Sequence, residues 1–198
     1  MYDTMKIPIT LGMVVNDEAP RLREKLPIWR SLFEEIVMVV QESADDSLKI
    51  ARCYADKVYE DKQYGFSEIS RPIVFENASF PWMIYLDPDE SPTQKFLEDI
   101  PHLIQSTELD GYITPFLHYP VYNPKGDKVF HAMCDDRQER LRLFKHSEIT
   151  TLPKLHTTFY PKNWSRIGKL NYITIEHRKT FEEWSFDHAL YQRILGKY

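Results

Sequence analysis

The chain has 198 residues, a formal charge of −5 and 42% hydrophobic residues, of which 12 Tyr, 11 Phe and 4 Trp make it rich in aromatics. That length suits one domain with a sizeable core, read as residues 1–198, and the acidic, mixed-sign balance excludes a global basic field for tight non-specific nucleic-acid binding. The two cysteines, Cys53 and Cys134, have neither metal-motif spacing nor enough partners for a disulfide framework, so reduced thiols in a cytoplasmic protein are expected. The first residues lack a basic n-region followed by a long apolar core, so a secretory leader is not expected, and no apolar run approaches the roughly 20 residues of a spanning helix, so any lipid contact is expected to be peripheral.

In chain order, Ile7 to Val15 reads as a buried strand, ending at Asn16-Asp17-Glu18. A helix follows from Pro20, with an acidic residue ahead of it as cap and Pro27 expected to break or kink it. Glu35 to Val40 is a second buried strand, ending in the polar stretch Gln41 to Asp46; Asp45 or Asp46 can cap a helix over Ser47 to Ala55. Lys57 to Glu60 is a short third strand, and a helix begins near Pro72.

The run Trp82-Met83-Ile84-Tyr85-Leu86 is apolar without alternation, as suits a strand buried on both faces. It ends in Asp87-Pro88-Asp89-Glu90, three carboxylates in four residues. Crowded acids repel one another unless cations share them. Ser91 caps the next expected helix, with Pro92 in its first turn and Gln94 closing a capping box. Later, Gly111 to Tyr119, Val129 to Met133 and Arg140 to Phe144 read as strands, with a turn at Asn123 to Asp127. His156 to Tyr160 is a further candidate strand, and a helix from about Thr180 to Leu195 carries Phe181, Trp184, His188 and Tyr191 at helical spacing.

The alternation of strand and helix argues an α/β sheet, mixed but mostly parallel, flanked by helices. If the first strands are parallel, Asn16 to Glu18, Gln41 to Asp46 and Asp87 to Glu90 all emerge on one sheet edge, where open α/β sheets bind ligands. One such cluster alone reads as helix caps and turn residues; three together point to a site.

These segments resemble the family 2 glycosyltransferases of the GT-A fold, and more narrowly the small lipopolysaccharide-core glucosyltransferase-like enzymes. The resemblance runs through Leu11 to Glu18, Val39 to Ser47, Trp82 to Glu90, Arg140 to Lys145, and Ile175-Glu176-His177 with Glu182, Glu183, Trp184 and Tyr191. It implies a nucleotide-diphosphate sugar donor bound by residues 1–106 and an acceptor side in residues 107–198. It further implies a divalent metal, Mn²⁺ or Mg²⁺, with Asp89 as direct ligand, Asp87 on the ribose or on the metal through water, and His177 as a downstream contact to the metal or the diphosphate. Glu18 and Gln41 would line the nucleoside pocket with Asn16 shaping the loop, Asp45 would belong to the same donor-binding set, and Arg71 and Arg142 are candidates to hold the diphosphate. Arg140 replaces Arg142 if the strand register differs by two.

Two departures stand out. Gln41 occupies the place of the family's base-reading aspartate, so UDP is only weakly favoured over other nucleotides. Thr157 follows His156 where the family has a glutamate, leaving Glu90, Glu176, Asp135 or Asp136 as proton acceptor. The acceptor implied is a saccharide, a lipid-linked saccharide or another hydroxyl, nucleic acid included. A non-catalytic donor-binding relative and a metal-dependent nucleotidyltransferase are the competing readings; the second lacks a glycine-rich phosphate loop.

Overall fold

The computed structural model describes residues 5–130, 137–152 and 159–185, with residue 189. Its strands are β1 (Ile7–Val15), β2 (Phe33–Gln41), β3 (Lys57–Asp61), β4 (Trp82–Tyr85), β5 (Glu90–Pro92), β6 (Gly111–His118), β7 (Val121–Tyr122), β8 (Lys128–Phe130), β9 (Arg137–Lys145), β10 (Ile149–Thr150), β11 (Tyr160–Pro161), β12 (Ile167–Lys169) and β13 (Ile175–His177). The helices are α1 (Ala19–Leu32), α2 (Ser47–Tyr54), α3 (Arg71–Glu76) and α4 (Gln94–Leu103). A nine-stranded sheet runs in the order β3-β2-β1-β4-β9-β6-β13-β5, with β12 also paired to β6. β1 to β4 pair in parallel, β9 runs antiparallel between β4 and β6, and β13 is parallel to β6 but antiparallel to β5.

The expected double burial of the central strands follows from their parity. Trp82, Ile84 and Leu86 join Ile9, Leu11 and Met13 on one face, against Leu22, Leu26 and Trp29 of α1 and Phe96 and Ile100 of α4. Met83 and Tyr85 join Val14, Val37 and Val39 on the other, against Val74 and Phe75 of α3 and against Phe159. Each large side chain so buried contributes roughly 1.5–3 kcal/mol, which is why the apolar runs end up inside.

Gly12 of β1 lets α3 approach this second face. A Cβ there would lie 2.7 Å from Val74 Cγ1 and 3.1 Å from Met83 Sδ.

Three local expectations are corrected. Pro27 does not end α1, which continues to Leu32. Pro27 is exposed, as is Arg23, whose carbonyl loses its intrahelical partner, while Leu22, Leu26 and Trp29 anchor the buried side. The cap of α1 is not the acid that precedes it, whereas of the two acids expected to cap α2 it is Asp45 that does so. Glu18 and Asp46 make no side-chain cap bond; instead Asp45 Oδ2 accepts from the Ala19 N–H at 2.8 Å and Asp45 Oδ1 from the Ser47 N–H at 2.8 Å, so one carboxylate serves both helix starts. Finally, Ser91 and Pro92 are strand, not first helical turn, because β5 pairs with β13. The α4 cap is Thr93, whose side chain accepts from the Phe96 N–H.

The turn at Asn123 to Asp127 joins β7 to β8, with Gly126 at φ 87°. Residues 181–185 and 189 are helical; residues 186–188 and 190–195 of that expected helix, His188 and Tyr191 among them, lie outside the described residues, as do Cys134, Asp135, Asp136, His156 and Thr157. Among the described residues no helix is long and apolar enough to cross a membrane.

Candidate active site

The carboxyl ends of β2, β1 and β4 are neighbours in one parallel register, so the polar segments after them meet at one edge. The first two are stitched to each other. Asn16 Nδ2 donates to the Glu42 carbonyl at 2.7 Å, and Asp17 Oδ1 accepts from the Ala44 N–H at 2.6 Å. Asp17 sits at φ 52°, a left-handed conformation that aspartate tolerates better than most residues and that these bonds hold in place. Gln41 is buried, and its Nε2 donates to Ser70 Oγ at 2.8 Å and the Phe66 carbonyl at 3.0 Å. Gln41 and Asp45 thus both have side-chain groups bonded to other parts of the chain, Gln41 in the interior and Asp45 at the surface.

The third segment is a β-turn. The Glu90 N–H donates to the Asp87 carbonyl at 2.9 Å, and Pro88 occupies the second position, where its fixed φ suits the turn. Lys25 of α1 tethers it, its Nζ donating to the carbonyls of Pro88 at 2.6 Å and Glu90 at 2.9 Å. The turn resolves the crowding of acids by sending them to different cations.

Asp87 and Glu90 face Arg142. Its Nη2 lies 2.6 Å from Asp87 Oδ2 and 2.5 Å from Glu90 Oε1. Glu90 has no solvent exposure, and its Oε2 also accepts from the Asp87 N–H at 3.0 Å. Burial pushes the Glu90 carboxyl up, against the opposing pull of Arg142. For Asp87 burial is overcome by Arg142 and Arg71, and its carboxyl is held below the usual range.

Asp89 turns the other way. Its Oδ2 lies 2.9 Å from His177 Nε2 and 3.1 Å from Lys179 Nζ. Burial alone would raise its pKa, but the His177 hydrogen bond and the charges of Lys179 and Arg21 hold it far below the carboxylate range. Glu18 stands nearby, bound through both oxygens to Arg21 at 3.0 and 3.1 Å. Burial raises its pKa to about 7, only partly opposed by Arg21.

Arg71 and Arg142 converge on one aromatic floor. The Arg71 guanidinium is 5.3 Å from the Tyr85 ring centroid and 5.0 Å from that of Phe159; Arg142 is 5.6 Å and 5.7 Å from the same two. Such stacking supports a cation that water has largely left. Arg142 Nε is buried without a hydrogen-bond partner, a donor still unspent at the site.

Arg142 is aimed there by a β-bulge. Tyr112 pairs with Leu143 but Ile113 pairs with Leu141, leaving Arg142 as the extra residue. The result is visible in the core. Leu143 packs on one face of the sheet and Leu141 on the other, though an unbroken strand would put both on the same side. Arg140 still reaches the group, 3.6 Å from Glu90 Oε1 and over the Phe116 ring.

The structure therefore brings Asp87, Asp89, Glu90, His177, Arg71, Arg142 and Arg140 together, with Glu18 adjoining. It separates Glu176. In register, His177 pairs with Glu90 and His118, whereas Glu176 pairs with Ser91 and Leu117, so its side chain leaves the opposite face of the sheet. There it accepts from Tyr119 at 3.2 Å and Arg178 at 3.0 Å. Lys179, Arg21, Lys25 and His118 join the site without having been read from the sequence. Of these, His118 lies at the end of the strand starting at Gly111, in step with Thr114 and Phe116, but its role appears only once β13 is placed beside it.

Among the described residues no group of three or more His, Cys, Asp or Glu side chains is arranged to hold a metal. The donor set at Asp89 nevertheless fits a divalent cation: one carboxylate oxygen and one imidazole nitrogen converge within 2.9 Å in a buried setting. Mg²⁺-like cations at phosphate sites commonly take only one or two protein ligands, phosphates and water supplying the rest.

No known protein family's sequence profile matches the chain. The SPbeta prophage-derived glycosyltransferase SunS of Bacillus subtilis (strain 168) is 24% identical over 180 residues, which cover 87% of this chain and 39% of SunS. The crystal structure of S. aureus TarS 1–349 in complex with UDP-GlcNAc matches with a TM-score of 0.56 at 15% identity, covering 91% of this chain and 61% of that one. This is a GT-A fold. A second GT-A structure, glucosyl-3-phosphoglycerate synthase from Mycobacterium tuberculosis in complex with phosphoglyceric acid, matches with a TM-score of 0.53 at 12% identity over 96% of this chain and 79% of its own. The resemblance to GT-A glycosyltransferases read from the motifs thus extends to the whole sheet. The chain spans about two fifths of the length of the curated relatives it matches, 39%.

Proposed function

We propose that this chain is a glycosyltransferase that moves a sugar from a nucleotide-diphosphate donor, a UDP-sugar in first place, to an acceptor hydroxyl. The observation that carries the reading is the division of one turn's acids between two sets of partners, Asp87 with Arg142 and Asp89 with His177 and Lys179. It lies at the sheet edge where α/β folds bind ligands. Support also comes from the GT-A neighbours crystallised with UDP, with UDP-GlcNAc, and with Mn²⁺, UDP and glucosyl-3-phosphoglycerate.

In this reading Arg71 and Arg142 bind the diphosphate, where planar guanidinium forks suit phosphate oxygens. Asp89 and His177 would hold a divalent cation, which when bound neutralises charge growing on the leaving diphosphate. The acceptor oxygen bonds to the anomeric carbon and gives up its hydroxyl proton to a carboxylate base, Glu90, Asp135 or Asp136 in this reading, as the carbon–oxygen bond to the diphosphate breaks. The leaving group keeps the electron pair, and the single displacement inverts the anomeric centre. The chain's own part is to orient the donor and to place fixed positive charge where the negative charge develops.

Titration with UDP-glucose and UDP-GlcNAc, with and without Mn²⁺, tests this. Metal-enhanced binding that Asp89→Asn abolishes is expected; wild-type protein that binds no nucleotide sugar under either condition defeats the reading.

A second reading, donor binding without transfer, draws on the enclosure of Glu90 beneath Arg142 and on Glu176 leaving the far face of the sheet. Tight donor binding with neither hydrolysis nor transfer across a broad panel of sugar, lipid-linked and nucleic-acid acceptors selects it.

A further inference from the structure

His177 touches Asp89 through Nε2 and a second histidine through its other nitrogen. His118, the last residue of β6, is the register partner of His177 on the adjacent strand β13. Their Nδ1 atoms are 3.0 Å apart and both side chains are buried. The His118 ring is itself stacked on Phe116, with centroids 5.9 Å apart and planes 23° apart, so it is held in place from behind.

We propose that His118 is a positioning residue that determines which tautomer His177 presents to Asp89 and to a divalent cation there. The inference rests on the reading of Asp89 and His177 as the cation-holding pair.

The proton count between the rings leads to it. A contact between two Nδ1 atoms holds one proton, so one ring donates and the other accepts. When His118 supplies the proton, a neutral His177 accepts at Nδ1 and carries its own proton on Nε2, donating to Asp89. For a neutral His177, that is the arrangement that satisfies the 2.9 Å contact with the Asp89 carboxylate. When the proton lies on His177 Nδ1, His177 Nε2 bears a lone pair and is a ligand. His118 then accepts at Nδ1 and carries its proton on Nε2. The pair holds two protons in both states, so the exchange needs no net gain or loss.

A backbone carbonyl or carboxylate, the usual partner of a ligating histidine, can only accept and therefore locks one tautomer. An imidazole in that place serves both states. This is the physical reason for a histidine at position 118 rather than a carbonyl contact.

The test is Mn²⁺ affinity in the presence of UDP, read by electron paramagnetic resonance and calorimetry on the full chain. His118→Phe keeps the ring volume and removes both nitrogens; it is expected to weaken Mn²⁺ binding about 10–100-fold. His118→Asn, which keeps a group able to donate or accept near the Nδ1 position, is expected to stay within a few fold of wild type. UDP affinity without metal should be unchanged in both. Wild-type Mn²⁺ affinity in His118→Phe overturns the role of His118 while leaving the donor site standing; a wild-type protein that binds no Mn²⁺ overturns both.

Should His118→Phe fail to fold, ¹⁵N spectra of histidine-labelled wild-type protein decide. The proton of His177 should lie on Nε2 in the free protein and on Nδ1 with UDP and Mg²⁺; one tautomer throughout overturns the proposal.

Discussion

Arg142 Nη2 lies 2.6 Å from Asp87 Oδ2 and shares its charge with Glu90, whose side chain is wholly enclosed. The pair is held in place by a bulge that takes Arg142 out of the β9 ladder and by the turn that brings Glu90 beneath it. Because Glu90 is enclosed, Arg142 has a structural duty as well as a place in the proposed diphosphate site.

Replacing Arg142 by Ala should therefore cost stability as well as donor binding. An uncompensated buried carboxylate is worth about 3–5 kcal/mol of destabilisation. Urea unfolding should show that loss, and the double change Arg142→Ala with Glu90→Gln should recover a large part of it without restoring donor affinity. Equal stability of single and double variants would mean that Glu90 finds another partner.

Lys179 offers an ammonium to the same oxygen of Asp89 that His177 contacts, at 3.1 Å. A cation entering there competes with it. Lys179→Met should tighten Mn²⁺ binding in the absence of nucleotide, by on the order of 1 kcal/mol or roughly fivefold, since part of the attraction is screened at this partly exposed group. Calorimetric titration reads this directly. Weaker Mn²⁺ binding in the variant would rule out competition.

Glu18 supplies a pH dependence. Burial raises its pKa from 4.5 to about 7 in the folded chain. The folded state thus binds a proton that the unfolded state releases, so stability falls as pH rises from the lower value to the upper and is level beyond it. Glu18→Gln removes this term. Between about pH 5 and about pH 8 its stability should gain on wild type by on the order of 2 kcal/mol, read as parallel denaturation midpoints at each pH. A constant gap across that range would show that Glu18 ionises freely.

Gly12 tests the seat of α3 and hence of Arg71 at its first position. A methyl group at 2.7 Å from Val74 Cγ1 forces the helix or the side chain to move. Gly12→Ala should cost about 1–3 kcal/mol, as overpacking of a filled core does. Donor affinity should fall with it if Arg71 shifts; a variant with native melting would mean that Val74 yields freely.

Much of the architecture was legible in the order of residues. Ile7 to Val15 and Trp82 to Leu86 announce buried strands because both parities are apolar, and the acids after three parallel strands must then share an edge. What was not legible are features that need a second segment. Ser91 and Pro92 read as a helix start until β13 pairs with them. Asp45 reads as a cap for its own helix, yet it also caps α1 across a gap of 26 residues. His118 carries no motif of its own and gains significance only from standing beside His177.

Local sequence by itself determined the buried strands, their polar ends and the turn in which Pro88 separates Asp87 from Asp89, because hydrophobic periodicity and the fixed φ of proline act over a few residues. Tertiary structure alone decided which cation each acid meets. The β9 bulge aims Arg142, strand register carries Glu176 to the far face of the sheet, and the pairing of β13 with β6 sets His177 against His118. Those outcomes depend on hydrogen-bond register between distant strands, where one residue of slip moves a side chain to the other face.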